Sequence, residues 1–263
     1  EFLSDAMRRI TLSGNDLYGF PQDRNGAHIK VFLPRPNQHK PVLPTLGPKG
    51  PVWPPAHLRP ITRTYSVRRY CAESNELDID FVLHGAESPA SGWALNAIPG
   101  DFLGVAGPGG PDPLLAPAEQ HFIAGDLTAL PAICALLECL PTSAQGHAVI
   151  EIDHEDFRQP VVNHTQIQVQ WVLRDPTLPA VTNNLLGAIV GFAGFIAEDA
   201  GPDDGHRAAV RAHWAEGGTA EAVAKMTTPT TTPTTIHHRM ANDYSLPACG
   251  VQVTAVVPDF SPW

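Results

Sequence analysis

Four stretches in the first hundred residues alternate apolar with polar positions, or gather β-branched residues, between Gly and Pro. They are MRRITLSG at 7–14, AHIKVFLP at 27–34, TRTYSVRRY at 62–70 and ELDIDFVLHG at 76–85. A period of two bounded by turn residues predicts strands. Antiparallel strands at such short spacing predict a small barrel or sandwich. Between Leu33 and Pro60 proline interrupts every pattern, which predicts an extended loop over the barrel pinned by Trp53. GVAGPGG at 104–110 lies outside any strand–helix unit, so it is read as a turn and not a dinucleotide fingerprint.

The pattern then changes. HFIAGD at 121–126 is a short apolar strand, and the segment after it repeats Leu130, Ile133, Leu136, Leu137 and Leu140 at helical spacing. HAVIEID at 147–153 and IQVQWVLR at 167–174 are further strands. Strand, helix, strand, connection, strand predicts a parallel α/β sheet. Three regions follow: a β-rich domain over 1–116, an α/β domain over 117–225, and a linker and tail over 226–263. The tail opens with TTPTTTPTT, an extended low-complexity linker, and carries a candidate strand in CGVQVTAVV at 249–257.

Composition narrows the possibilities. A chain of 263 residues that is 43% hydrophobic and 17% charged is globular. Its net charge of −10 opposes non-specific nucleic-acid binding. The richest apolar run, 185–197, is shorter than the ~20 residues that span a bilayer and reads as a buried element. The beginning, EFLSDAMRRI, lacks the order of a signal peptide. The four cysteines form no CxxC pair, and Cys134 and Cys139 are expected as buried free thiols. These features point to a cytoplasmic protein without a disulfide scaffold or a metal site. The charge run Glu151, Asp153, His154, Glu155, Asp156 is expected as a solvated loop.

The candidate chemistry lies on two strands and two turns. On an extended strand Arg63, Tyr65 and Val67 share one face, and Thr64, Ser66 and Arg68 the other. A cation, a ring and a hydroxyl at such spacing suit a planar ligand with a phosphate tail, but equally an ordinary exposed strand. In the next strand Leu77, Ile79, Phe81 and Leu83 form an apolar face, with Asp78, Asp80, Val82 and His84 opposite. The turn ESPASGWA leads into a helix over 90–98, whose free N–H groups could receive a pyrophosphate. The Gly125–Asp126 turn closes a strand at its carboxyl end, where ligands of open α/β sheets bind.

In this order RTYSVR, DIDFVLHG, SPASGWA, PGDFLGVAGPGG and AGDLTALPAI, with DLYGFP, HIKVFLP, AVIEID and VQWVLR around them, resemble the siderophore-interacting protein family. The likeness covers about residues 5–175. It implies an antiparallel Greek-key FAD-binding β-barrel followed by an α/β nicotinamide-binding-like domain, as in the ferredoxin-reductase-like superfamily. It also implies that Arg63, Thr64, Tyr65 and Ser66 hold the flavin, with Asp80, Phe81, Val82 and His84 alongside it. Ala90, Ser91 and Trp93 match the turn that receives the pyrophosphate and the adenine side. Asp126, Thr128 and Ala129 match the turn where the nicotinamide approaches, so Ser66 and Thr128 fall near the flavin edge. Trp214 matches a late aromatic motif, although the stretch before it is shortened and Asp203 and Asp204 stand where a phosphate is expected.

The implied function is an NAD(P)H-dependent flavin reductase of ferric siderophores that releases Fe(II). Because ferric siderophores are often anionic, Lys30, Arg59, Arg68 and Arg69 are candidate substrate contacts. The alternative is a flavoprotein of the same descent with a degenerate nicotinamide site, binding a small natural product without net redox change. The tail also permits a homodimer by strand exchange.

Overall fold

The computed structural model describes residues 1–118, 120–175 and 177, together with the backbone of two tail strands, Asp243–Ser245 and Val251–Ala255. The N-terminal part is built on two sheets. In the first, β1 (Phe2–Ser4), β2 (Met7–Ser13), β8 (Glu76–Val82) and β7 (Arg69–Cys71) pair antiparallel in the order β1-β2-β8-β7. In the second, β6 (Ile61–Ser66), β3 (His28–Leu33) and β9 (Gly104–Gly109) pair in the order β6-β3-β9. Ile29, Val31, Leu33, Leu77, Ile79 and Phe81 fill the space between them and are almost wholly buried. The expected barrel is therefore two facing sheets, and their ladders do not close into a ring among the described residues.

Three local expectations change. The single strand expected over 62–70 is two strands, β6 and β7, broken at Val67 and Arg68. Val67 is fully buried and exchanges backbone hydrogen bonds with Ala27 and Gly26, which turns the chain from one sheet to the other. The segment read as a turn, GVAGPGG, is the edge strand β9 against β3. The proline-rich loop holds a small hairpin, β4 (Thr45–Gly47) with β5 (Gly50–Val52), and the Trp53 ring meets Phe32 edge-on at 6.0 Å.

The second part has a parallel core: β10 (Gln120–Asp126) lies between β11 (Gln145–Ile152) and β14 (Val251–Ala255), with β12 (Gln166–Leu173) outside β11. The tail strand expected at 249–257 thus joins the sheet of its own chain, and β13 (Asp243–Ser245) pairs antiparallel with it. The threonine–proline linker, the apolar run at 185–197, Asp203, Asp204 and Trp214 lie outside the described residues. Helix α2 (Leu130–Cys139) packs on this sheet through Ile133 and Leu137. Cys134 is buried as expected, but Cys139 is exposed. Glu151 was expected in a solvated loop; instead it is buried at the end of β11 and accepts a 2.9 Å bond from Arg174. Ala6 and Met7 belong to the same apolar cluster as Ile133 and Leu137, so one core joins β2 to α2. Among the described residues no helix is long and apolar enough to cross a membrane.

Ile133 is fully buried where both halves meet. Ile133→Ala should lower unfolding free energy by about 2–5 kcal/mol, measured by denaturant titration.

Candidate functional site

Strand β6 carries the first cluster. The Tyr65 ring packs on Phe81 of β8 at 4.4 Å, and Phe81 in turn on Trp93 at 5.7 Å. Trp93 belongs to helix α1 (Pro89–Asn96), so one aromatic row ties β6, β8 and α1 together. Phe81 is fully buried, which leaves Tyr65 and Trp93 half-buried on either side of it. Burial pushes the Tyr65 phenol up to about 12, with Arg63 opposing the shift. Arg63 shares the face of Tyr65 but is exposed, and among the described residues its guanidinium donates only to the carbonyl of Thr62, at 2.9 Å. The Thr64 hydroxyl, on the other face, accepts a 2.7 Å bond from Lys30 Nζ. Ser66 is half-buried and pairs with His28 at the end of the ladder.

Helix α1 is held at both ends. Buried Ser91 accepts a 3.0 Å bond from the His84 backbone N–H, tying the end of β8 to the first turn; the His84 side chain is exposed. A Cβ on Gly92 would come within 2.3 Å of the Ala86 carbonyl oxygen, so only glycine lets the 84–88 turn close against the helix. At the other end Arg8 donates to the carbonyls of Ala94, Leu95 and Ala97 at 2.5, 2.9 and 2.9 Å. These are the C-terminal acceptors that a helix leaves unsatisfied. Reading residues along the chain missed Arg8, because the two arginines of MRRI lie on opposite faces of β2 and only their partners tell them apart. Ser88, the N-cap, makes no side-chain capping bond, and Pro89 has no N–H. The first-turn residues Ala90 and Ser91 are buried, and the Gly92 N–H donates to the Ser88 carbonyl at 2.7 Å.

The third group sits at the carboxyl end of β10. Asp126 Oδ1 accepts from the Thr128 backbone N–H at 2.9 Å and from its hydroxyl at 2.6 Å. The backbone N–H of buried Ala129 donates to the Asp126 carbonyl at 3.0 Å. This closed turn leaves Thr128 exposed and rigidly aimed.

Other predicted residues face elsewhere. Both faces of β8 are buried: Leu77, Ile79 and Phe81 point into the N-terminal core, while Asp78 and Asp80 are only 3% and 4% exposed on the opposite face. Asp80 accepts from Arg9 at 2.7 and 2.8 Å, and Arg68 Nε lies 3.8 Å from its other side. Val82 packs at the edge of the cluster that holds α2. Two of the expected substrate contacts hold carboxylates, Arg68 half-buried and Arg69 exposed. Arg68 donates to Glu138 at 2.9 and 2.5 Å, and Arg69 to Asp78 at 3.0 Å.

Electrostatics separate this region from the rest of the chain. No Asp or Glu occurs between Asp23 and Glu73, a stretch holding Arg24, Lys30, Arg35, Lys40, Lys49, Arg59, Arg63, Arg68 and Arg69, nine of the 17 Lys and Arg residues. Arg24, Arg68 and Arg69 have carboxylate partners. The other six pair with no carboxylate among the described residues; Lys40, for example, lies 3.7 Å over the Phe102 ring. A chain of net charge −10 therefore carries a cationic pole in its sequence over 24–72, the stretch that holds β6.

Residues 1–112 match the siderophore-interacting FAD-binding domain, and residues 118–193 match the siderophore-interacting protein domain that follows it. The chain belongs to the siderophore-interacting protein family. Ferric vibriobactin reductase ViuB of Vibrio cholerae is 47% identical over 176 residues, covering 67% of this chain and 64% of that protein. The chain thus spans just under two thirds of that relative's length. The NADPH-dependent ferric-chelate reductase of Escherichia coli is 35% identical over 181 residues, covering 66% of this chain and 68% of the relative. The crystal structure of a siderophore utilization protein from T. fusca superposes with a TM-score of 0.62 at 33% identity, covering 72% of this chain and 71% of that one.

Family membership makes residues 1–112 an FAD-binding domain. What the domain offers suits that group: an exposed guanidinium without a carboxylate partner, a half-buried ring, and a helix start without a side-chain cap. In the folded protein Tyr65 keeps its proton more tightly than in the unfolded chain. Its contribution to stability is complete below pH 10.0 and is lost as the pH rises toward about 12. In an ultraviolet titration Tyr65→Phe should remove the phenolate step near pH 12.

Proposed function

We propose that this member of the siderophore-interacting protein family is an FAD-dependent reductase of ferric siderophores, driven by NAD(P)H and releasing iron as Fe(II). The observation that carries it is the cationic stretch 24–72, which holds β6 and contains no Asp or Glu, on a domain of the family's FAD-binding type. A ferric siderophore with net negative charge is drawn to such a pole, and fewer acids there mean less repulsion to overcome. The names of the Vibrio cholerae and Escherichia coli relatives support the same reaction.

The protein's own residues bind and orient. FAD, when bound, supplies the exchange between two-electron and single-electron transfer. Arg63 would neutralise its phosphates, since that guanidinium has no carboxylate to leave. Tyr65 would hold the ring system, its own ring being fixed by Phe81 and behind it by Trp93. Ser66 would offer a hydroxyl at the end of β6, and the turn that Ala90 and Ser91 hold in place would face the pyrophosphate. His84 would line the same edge through the turn that Ser91 ties down. Thr128, aimed by Asp126, would meet the nicotinamide side. Of the four cations expected at the substrate, Lys30 and Arg59 remain without a carboxylate partner; Lys40, Lys49 and Arg35 extend the same pole.

The test is spectroscopic. Purified protein should carry an oxidised-flavin spectrum that NADH or NADPH bleaches anaerobically. A ferric tris-catecholate chelate should restore it, with Fe(II) trapped by a ferrous chelator. Flavin that stays oxidised at saturating nicotinamide would overturn the reductase. Arg63→Ala removes a charge-assisted contact worth about 1.5–3 kcal/mol, so FAD affinity should fall about tenfold to a hundredfold in a titration of apoprotein.

A further inference from the structure

The outer face of β2 and β8 meets the second half of the chain through an ordered chain of charges. Arg9 stands opposite Asp80 in the ladder and takes both of its oxygens, at 2.7 and 2.8 Å. Asp80 backs Arg68 at 3.8 Å, and Arg68 reaches across to Glu138 in the last turn of α2 with two roughly parallel bonds, at 2.9 and 2.5 Å. Side-chain exposures of 3% for Asp80 and 13% for Arg68, against 26% for Glu138, show that water reaches only the far end. The charges of Arg68, Glu138, Asp80 and Arg9 all act on the Cys134 thiol, one turn before Glu138, which places the network along α2. Two arginines and two carboxylates balance, so nothing here is left over for an anionic substrate.

Both ends of this chain lead to the candidate site. Arg68 follows Ser66 by two residues, and the intervening Val67 is immobilised by burial and by backbone bonds to Ala27 and Gly26. Glu138 closes the helix that begins just after Thr128. Ten helical residues make a rod of about 15 Å, so holding one end fixes where the other end points. The apolar cluster that Met7 and α2 share supplies attraction but little direction. A bidentate guanidinium–carboxylate pair supplies direction.

We propose that Arg68 and Glu138 form an interdomain clamp that sets the Asp126–Thr128 turn against the Tyr65–Ser66 end of β6. Both are positioning residues for electron entry from the nicotinamide. The clamp rests on the reductase reading for its effect on rate, and on contacts alone for its effect on α2. Ligands of parallel sheets bind at strand carboxyl ends, and the turn after β10 is such an end. Displacement of that turn by about 1 Å is enough to cost one to two orders of magnitude in transfer.

Two variants test it in the full chain. Glu138→Gln removes the charge at the wetter end, and Arg68→Lys keeps the charge but loses the fork. Each should retain FAD with unchanged affinity, spectrum and rate of reduction by dithionite. Each should be reduced by NADH or NADPH about tenfold or more slowly, and should show faster amide hydrogen exchange over 127–139 than the wild type. Wild-type reduction rates together with unchanged exchange would overturn the clamp. Slower reduction accompanied by loss of FAD would also overturn it, because the residues would then serve the stability of the N-terminal domain. If the wild type itself is not reduced by nicotinamide, the reductase reading fails and exchange alone decides: faster exchange over 127–139 upholds the clamp and unchanged exchange ends it.

Discussion

Two carboxylates on one strand govern how this chain is put together. Asp78 and Asp80 are buried on the face of β8 opposite the N-terminal core, where an unpaired charge would cost several kcal/mol. Their neighbours meet that demand. Arg9 and Thr11 reach across from β2, and Arg69 from β7. Arg68 then carries the pairing to Glu138 on α2. A strand buried on both faces therefore has an apolar side that makes one core and a charged side that joins the next. Removal of any one partner strands another, so the arrangement is specific rather than merely adhesive.

The same constraint decides which cations are free. Arg68 and Arg69 sit beside Arg63 in the chain, yet they satisfy carboxylates while Arg63 does not. The division follows from the turn at Val67, which moves the chain from the β6 sheet to the β7 sheet. Before the turn Arg63 is exposed and donates to the Thr62 carbonyl, and after it Arg68 reaches Glu138 on α2. On this basis Arg63, Tyr65 and Ser66 stand as the proposed cofactor residues, and Arg68 stands apart from them.

Helix α1 shows a parallel economy. Its C-terminal carbonyls are satisfied by Arg8, its first turn is tied to β8 through Ser91, and Gly92 allows the approach. The start of the helix is the part without a side-chain cap. Asp126 likewise spends its carboxylate in aiming Thr128.

By itself the sequence determined the elements and their class. Period-two alternation located β2, β3, β6 and β8, helical spacing located α2, and apolar runs located the parallel strands, because these patterns record which face each element buries. It also marked Arg63, Tyr65, Ser66, Ser91 and Thr128 through local motifs whose spacing is short. Tertiary structure alone decided the partners. A one-dimensional pattern shows that Arg68 and Glu138 are polar but not that they pair, since 70 residues separate them. For the same reason the pattern could not show that Glu151 is buried under Arg174, that Arg8 closes α1, that GVAGPGG is an edge strand, or that the tail strand adds to β10. Burial of charge and pairing of edges depend on which surfaces meet, and those are fixed only when the sheets assemble.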